Sequence, residues 1–248
     1  MGSSRFPNKP LAKILGMPMI GHCYLRSKLS KKADKVYVAT PDKIIFDYIQ
    51  SIGGDAIMTS IKHKRASDRT AEAMLKIEND IGKVSIVVML QGDEPMIKPN
   101  MLDKAIDLMT KDKTIKVINF ITNIVNQKEL NDKNEIKVLK DIKNDAIYFS
   151  RQPIPFSSKF NKKLQFYKQV CIIPFRRDSL LKFNSMKETY LEKLESIDML
   201  RFLENDLKVK LIYNKDITYS VDNISDLKKV RAMMKNDIFI QKYKLNKQ

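Results

Sequence analysis

The chain contains no apolar run near the roughly 18 residues that a membrane-crossing helix needs. No basic-then-apolar leader opens it either, so neither a membrane nor a secretory route is expected. Cysteine is scarce. Cys23 and Cys171 are the only two in 248 residues, too few for a disulfide framework and without metal-ligand spacing. A reducing cytoplasm is the expected compartment, with both thiols buried as small hydrophobes. Internal repeats and linkers are missing, and so are arginine-rich blocks and interleaved aromatic and basic residues. The last absence matters because the formal net charge is +17. The excess is spread as lysine from Lys28 to Lys247, which reads as a solvated surface rather than a nucleic-acid groove. It is also compatible with a site for phosphates and carboxylates.

Hydrophobic residues make up 43% of the chain, enough for a globular core and against disorder. Short β-branched runs alternate with helical patterns. Val36–Thr40 reads as a buried strand, Asp42–Ser51 as a helix stopped by Gly53-Gly54, and Ala56–Met58 as a second strand. Thr70–Asp80 reads as a helix capped by Ser67 and Asp68. Val84–Leu90, apolar on both faces, has the pattern of a central strand in a parallel sheet. Further on, Pro99–Thr110 is predicted helical, and Lys116–Asn123 a strand. Glu135–Asp141 and Asp145–Phe149 form a strand pair turning at Lys143-Asn144. Gln169–Phe175 is a strand, Leu191–Asn205 one amphipathic helix, Val209–Tyr213 a strand and Ser225–Lys235 a closing helix. The tail from Gln241 is expected to fray. The alternation predicts a doubly wound α/β fold.

Three segments carry candidate chemistry. The opening run from Gly2 to Leu11 is small and polar, lets backbone N–H groups approach phosphate, and brings the charges of Arg5 and Lys9. Gln91-Gly92-Asp93-Glu94-Pro95 follows the best strand, where ligands of open parallel sheets bind. A carboxylate there suits Mg²⁺, which takes one or two carboxylates beside phosphate oxygens and water. Asp222 follows another strand-like segment and offers a second carboxylate for the same ion. Ser225 and Asp226 read as caps of the last helix. His22 is expected as a packed core histidine, and His63 in a local structural role.

Taken together, SSRFPNKPLAKILGMPMI, QGDEPMI, YFSRQPIP and VDNISDL resemble 3-deoxy-manno-octulosonate cytidylyltransferases, in the right order over nearly the whole chain. The resemblance implies a Rossmann-like nucleotidyltransferase domain over 1–248. Its sheet would be mixed and mainly parallel, and residues 135–171 would contribute mostly to a small β-rich dimerisation lobe. It implies transfer of CMP from CTP to an acidic sugar by a Mg²⁺-dependent homodimer, without nucleic-acid or membrane partners. Ser4, Arg5 and Lys9 match the triphosphate loop, with Arg5, Lys9, Asp93 and Asp222 catalytic. Asp93 and Asp222 match the metal ligands. Ser67, Asp68 and Arg69 match a segment near the nucleotide, as does Gln91. Ser150 and Arg151 match the sugar-acid side.

The sequence departs from that pattern in places. The family opens with a strand ending in arginine, just before the residue matching Met1. Its absence is expected to leave this form unstable or poorly active. A His-x-Gly-x-Tyr pattern is replaced by Gln169-Val170-Cys171-Ile172-Ile173, which leaves Gln169 on the sugar side. A Glu-Gln pair becomes Asp198-Met199. Ser-Gly-Thr-Glu-Arg becomes Arg65-Ala66-Ser67-Asp68-Arg69. The acceptor end departs more than the nucleotide end, so an 8-amino-octulosonate or a nonulosonate stands as an alternative acceptor. A basic, non-catalytic nucleic-acid-binding protein is the alternative from another class.

Overall fold

The computed structural model describes residues 6–157, 164–216 and 218–245. In chain order, a 3₁₀ turn (Lys9–Leu11) precedes β1 (Lys13–Ile14), β2 (Met17–Pro18), α1 (Met19–Lys28), β3 (Tyr37–Thr40), α2 (Lys43–Ser51), β4 (Asp55–Met58) and α3 (Ala66–Ile81). The middle holds β5 (Ile86–Leu90), α4 (Pro99–Lys111), β6 (Ile118–Asn123), α5 (Gln127–Asn131), β7 (Lys137–Lys140), β8 (Ala146–Ser150), β9 (Tyr167–Val170) and β10 (Ile172–Arg176). The rest is α6 (Arg177–Ser185), α7 (Tyr190–Glu195), α8 (Met199–Leu203), β11 (Lys210–Tyr213), α9 (Ile224–Met234) and α10 (Ile238–Leu245). Among the described residues no helix is long and apolar enough to cross a membrane.

The chain divides into two compact units. The first comprises Met1–Val84, Leu90–Asp107 and Thr218–Gln248. In it, β1 and β2 form a hairpin whose two turn residues, Leu15 (φ 48°) and Gly16 (φ 88°), both lie in the left-handed region. That is the turn whose twist matches flanking strands. β3 and β4 pair in parallel. One apolar cluster gathers Ile14, Met19, Met96, Val221, Leu227, Val230, Met234, Ile240 and Tyr243. It draws on the hairpin, the loop before α4 and both C-terminal helices. His22 is fully buried inside it. Its Nε2–H donates to Ile14 O at 2.8 Å, and Nδ1 accepts from the Tyr243 hydroxyl at 2.6 Å. The histidine is therefore a satisfied core group.

The second unit comprises Ser85–Met89 and Leu108–Ile217. Its main sheet runs β11-β6-β9-β7-β8. β11 and β6 are parallel, whereas β6–β9, β7–β9 and β7–β8 are antiparallel. Residues 135–171 thus supply three antiparallel strands of a mixed sheet. Phe175, Phe183 and Phe202 pack together with ring centroids 5.0–6.3 Å apart.

Several local expectations are corrected. The helix expected over Leu191–Asn205 is two helices, because Ser196 sits at φ 54° and ends α7. Gln169–Phe175 is broken at Cys171, since β9 pairs with β6 and β7 while β10 pairs with β5. Ser67 and Asp68 are not caps, because α3 starts at Ala66 and places both in its first turn. The closing helix is capped by Asn223, not Ser225. Asp226 is the third helical residue, and its carboxylate accepts from Asn223 N–H. The tail from Gln241 begins inside α10 rather than fraying there. Among the described residues β5 pairs with one strand, β10, and apart from Met89 its residues are half-buried rather than enclosed. Cys23 is buried, but Cys171 is only partly so.

Candidate active site

Three segments of the first unit converge on one ammonium. Lys9 opens the 3₁₀ turn after Asn8, whose backbone is left-handed at φ 57°. Lys9 Nζ donates to Asp93 Oδ2 at 2.6 Å and to Asp222 Oδ1 at 3.4 Å. The two carboxylates are therefore no farther apart than a single ammonium can span, although Lys9 and Asp222 are 213 positions apart in sequence. The side chains of Lys9, Asp93 and Asp222 are 12%, 17% and 34% exposed. Burial pulls the Lys9 pKa down, but Asp93 and then Asp222 outweigh it, and the net is above the usual 10.5. The ammonium stays charged.

Backbone bonds fix this arrangement. Val221 N–H donates to Asp93 O at 3.0 Å, which joins the two acidic loops directly. Asp226 Oδ2 accepts from Asp222 N–H at 3.0 Å and from Asn223 N–H at 3.1 Å, so the α9 cap also sets the backbone of Asp222. Glu94 N–H closes a turn on Gln91 O. Cys23 Sγ reaches Gly92 O at 3.4 Å, and a Cβ on Gly92 would stand 2.9 Å from Ile20 Cδ1. Glycine therefore lets α1 lie this close to the acidic loop without a shift of the Ile20 side chain. Beneath it, Arg26 donates through NH1 to Ile97 O at 2.9 Å and pairs through NH2 with Asp237 at 2.5 Å. Sequence reasoning missed Asp226, Cys23 and Arg26 as supports. The spacing Asn223-x-x-Asp226 was the one available signal, being a capping-box pattern.

Two carboxylates beside a charged lysine suit a small hard cation. Asp93 Oδ1 is buried and has no hydrogen-bond partner among the described residues, a free lone pair in a place where one is costly. No group of three or more acidic, histidine or cysteine ligands occurs among the described residues. That donor set matches Mg²⁺ completed by water and phosphate, not an all-protein cage.

The remaining candidates divide between the units. Ser4 and Arg5 lie outside the described residues. In the first unit Ser67 is buried, and Gln91 is half-buried. Arg69 NH1 donates to Thr59 Oγ1 at 2.6 Å and to Ser60 O at 3.3 Å. The same segment is held by Glu72, which accepts from Ser60 N–H and contacts His63 and Lys76. The Lys76 side chain, then the Ser60 N–H, hold the Glu72 pKa down at about 2, with His63 adding to the effect.

In the second unit Ser150 Oγ and Arg151 N–H donate to the two oxygens of Glu195, at 2.6 and 2.8 Å. The Arg151 guanidinium is taken up by three carbonyls, those of Glu195, Lys133 and Ser196. Gln169 Nε2 donates to Asn119 Oδ1.

A cytidylyltransferase family model matches residues 1–235. A 3-deoxy-manno-octulosonate cytidylyltransferase of Thermodesulfovibrio yellowstonii is 40% identical over 234 residues, 91% of each chain. The enzyme of the same name from Geotalea uraniireducens is 37% identical over 243 residues, 94% of this chain and 95% of its own. Among solved structures, CMP:2-keto-3-deoxy-manno-octonic acid synthetase complexed with CTP matches with a TM-score of 0.86 and 35% identity. The match covers 96% of this chain and 95% of that one. A 4-diphosphocytidyl-2C-methyl-D-erythritol synthase from Anaerococcus prevotii, 14% identical with a TM-score of 0.61, shares the fold. Two acidic loops closed on one lysine in a mixed α/β fold, with a family match over nearly the whole length, lead to one conclusion: this chain is a nucleotidyltransferase and belongs to the cytidylyltransferase family.

Proposed function

We propose that this chain transfers CMP from CTP to 3-deoxy-manno-octulosonate and releases pyrophosphate. The observation that carries this reading is the Asp93–Lys9–Asp222 cluster, in a chain 35% identical to a synthetase solved with CTP. The names of the relatives support the acceptor. Asp93 and Asp222 would hold Mg²⁺, which supplies charge screening between the phosphates and the acceptor carboxylate.

Lys9 remains an ammonium and stabilises the charge gathering on the departing pyrophosphate. Ser4 and Arg5 precede Lys9 in the run that resembles the family's triphosphate segment and would serve the phosphates with it. Ser67, Arg69 and Gln91 hold the nucleotide, with Arg69 also ordering residues 59–60. The anomeric 2-hydroxyl attacks the α-phosphorus in line. A new O–P bond forms, the bond to the β-phosphate breaks, and the hydroxyl proton passes to solvent. The chain's part is to align the two reactants, so no covalent intermediate is needed. On the acceptor side, Ser150 and Arg151 act by shaping the wall through Glu195, while Gln169 faces the sugar. The enzyme works in the cytoplasm as a homodimer, joined through the antiparallel lobe within 135–171.

Pyrophosphate release with CTP, Mg²⁺ and the octulosonate tests the reading. Asp93→Asn is expected to lower turnover at least about a hundredfold, with a melting-temperature loss no larger than that of removing the Lys9 ammonium. Retained turnover in that variant, or no transfer by the unsubstituted chain, would count against it.

A further inference from the structure

Helix α9 grips the chain on both sides of the Lys9–Asp222 contact. At its first turn, Asp226 Oδ2 accepts from Asp222 N–H at 3.0 Å and from Asn223 N–H at 3.1 Å. Arg231 lies about 7.5 Å further along the helix axis. It donates through Nε and Nη2 to Lys13 O, at 2.8 and 2.6 Å. That carbonyl has no strand to serve it. Met19 N–H donates to Ala12 O at 2.9 Å, and the register pairs Lys13 with Pro18 and Ile14 with Met17. Carbonyls alternate in direction along an antiparallel strand, so that of Lys13 points away from β2. It emerges at an outer edge that no strand covers among the described residues. Arg231 fills that edge from α9. Upstream, Ala12 N–H closes the 3₁₀ turn on Lys9 O at 3.1 Å. Whatever fixes Lys13 therefore fixes the backbone at Lys9. Leu227, Val230 and Met234 seat the same helix in the apolar cluster that contains Ile14.

We infer that Arg231, on the surface and outside the acidic centre, is a positioning residue for nucleotidyl transfer: through Lys13 it sets how far the Lys9 ammonium stands from Asp222. The inference rests on the proposed cytidylyl transfer and deepens it. Asp222 is held to α9 by its own N–H, and Lys9 is held to α9 by way of Lys13, so one rigid helix fixes both roots. The 3.4 Å contact from Lys9 Nζ to Asp222 Oδ1 is what that spacing produces. Without the guanidinium, Lys13 O turns to water. The apolar contacts that remain are non-directional, and they let the strand slide along the helix.

The test combines steady-state kinetics of the full chain, with CTP, Mg²⁺ and 3-deoxy-manno-octulosonate, and thermal melts with and without Mg²⁺. Arg231→Met is expected to lower kcat about tenfold, since misplacement costs the transition state most, while both KM values stay within about twofold of the parent. Melting should fall by only a few degrees, because Arg231 is exposed and its carbonyl can take water. Arg231→Lys restores a charged donor and should recover most of kcat. If Arg231 acts through Lys9, adding Arg231→Met to Lys9→Met should cost less than about twofold more. Mg²⁺ should raise the melting temperature of Arg231→Met more than that of the parent, because a displaced ammonium neutralises the carboxylate pair less well. Lys228→Met removes the same charge from the same helix and should match the parent in both readouts. An unchanged kcat in Arg231→Met, an undiminished loss in the Lys9→Met background, or an equal loss in Lys228→Met overturns the inference and leaves the transfer reaction intact. An equal response to Mg²⁺ overturns it as well, and that melt needs no turnover. Absence of transfer by the unsubstituted chain overturns the proposed reaction, and the melts then decide the spacing by themselves.

Discussion

Removing the ammonium between the two acidic loops tests whether Lys9 occupies the place a divalent cation would take. In Lys9→Met the stem is kept and the charge lost. The Asp93 contact is a charge-assisted bond at 2.6 Å between side chains 12% and 17% exposed, of a kind that contributes about 1.5–3 kcal/mol. The Asp222 contact, at 3.4 Å to a side chain 34% exposed, adds a few tenths at most. The expected loss is about 2 kcal/mol, or about 4–8 °C in melting temperature for a chain of this size. The Lys9 pKa is raised in the folded protein. Its contribution is therefore complete below the unfolded value of 10.5 and disappears only as pH climbs through the folded one. A melt at pH 7 reports all of it. With chelator present, the variant should melt at the lower temperature. Millimolar Mg²⁺ should then raise the variant more than the parent, since the cation relieves a repulsion that Lys9 otherwise relieves. Equal melting in chelator, or an equal response to Mg²⁺, would refute the reasoning.

Two further outcomes follow from other parts of the first unit. Asp237→Ala leaves the fully buried Arg26 guanidinium without its carboxylate, which should cost about 3 kcal/mol in urea titration. A loss under about 1 kcal/mol would mean that Ile97 O suffices. Glu72 is held at about 2 against an ordinary 4.5, so its contribution is present above 4.5 and lost as pH falls towards 2. Acid titration of Glu72→Gln should be flatter than the parent between those values, and parallel curves would exclude the effect.

The sequence made the acidic loops legible because each sits at a recognisable seam. Asp93 follows an apolar run, and Asp222 precedes a capping pattern. What it could not show is that Lys9 bridges them, since no local pattern encodes a contact across 213 positions. Helix ends were misread where a single left-handed residue intervened, as at Ser196, or where the helix began one turn early, as at Ala66. Amphipathic spacing registers neither. The β1–β2 hairpin was hidden because Leu15 is an unusual residue for a left-handed turn position. The occupancy of Arg151 by three carbonyls was equally invisible, because a motif gives a residue's place but not its partners.

The bond from Val221 to Asp93 and the lysine shared by Asp93 and Asp222 carry a consequence for biosynthesis. The acidic centre is a non-local object that exists only once residue 222 has left the ribosome and returned to meet residues 9 and 93. A nascent chain cannot begin consuming nucleotide while it is being made. A product cut short before residue 222 would lack the second carboxylate and also the α9 and α10 side chains that fill the core around Ile14 and Met19.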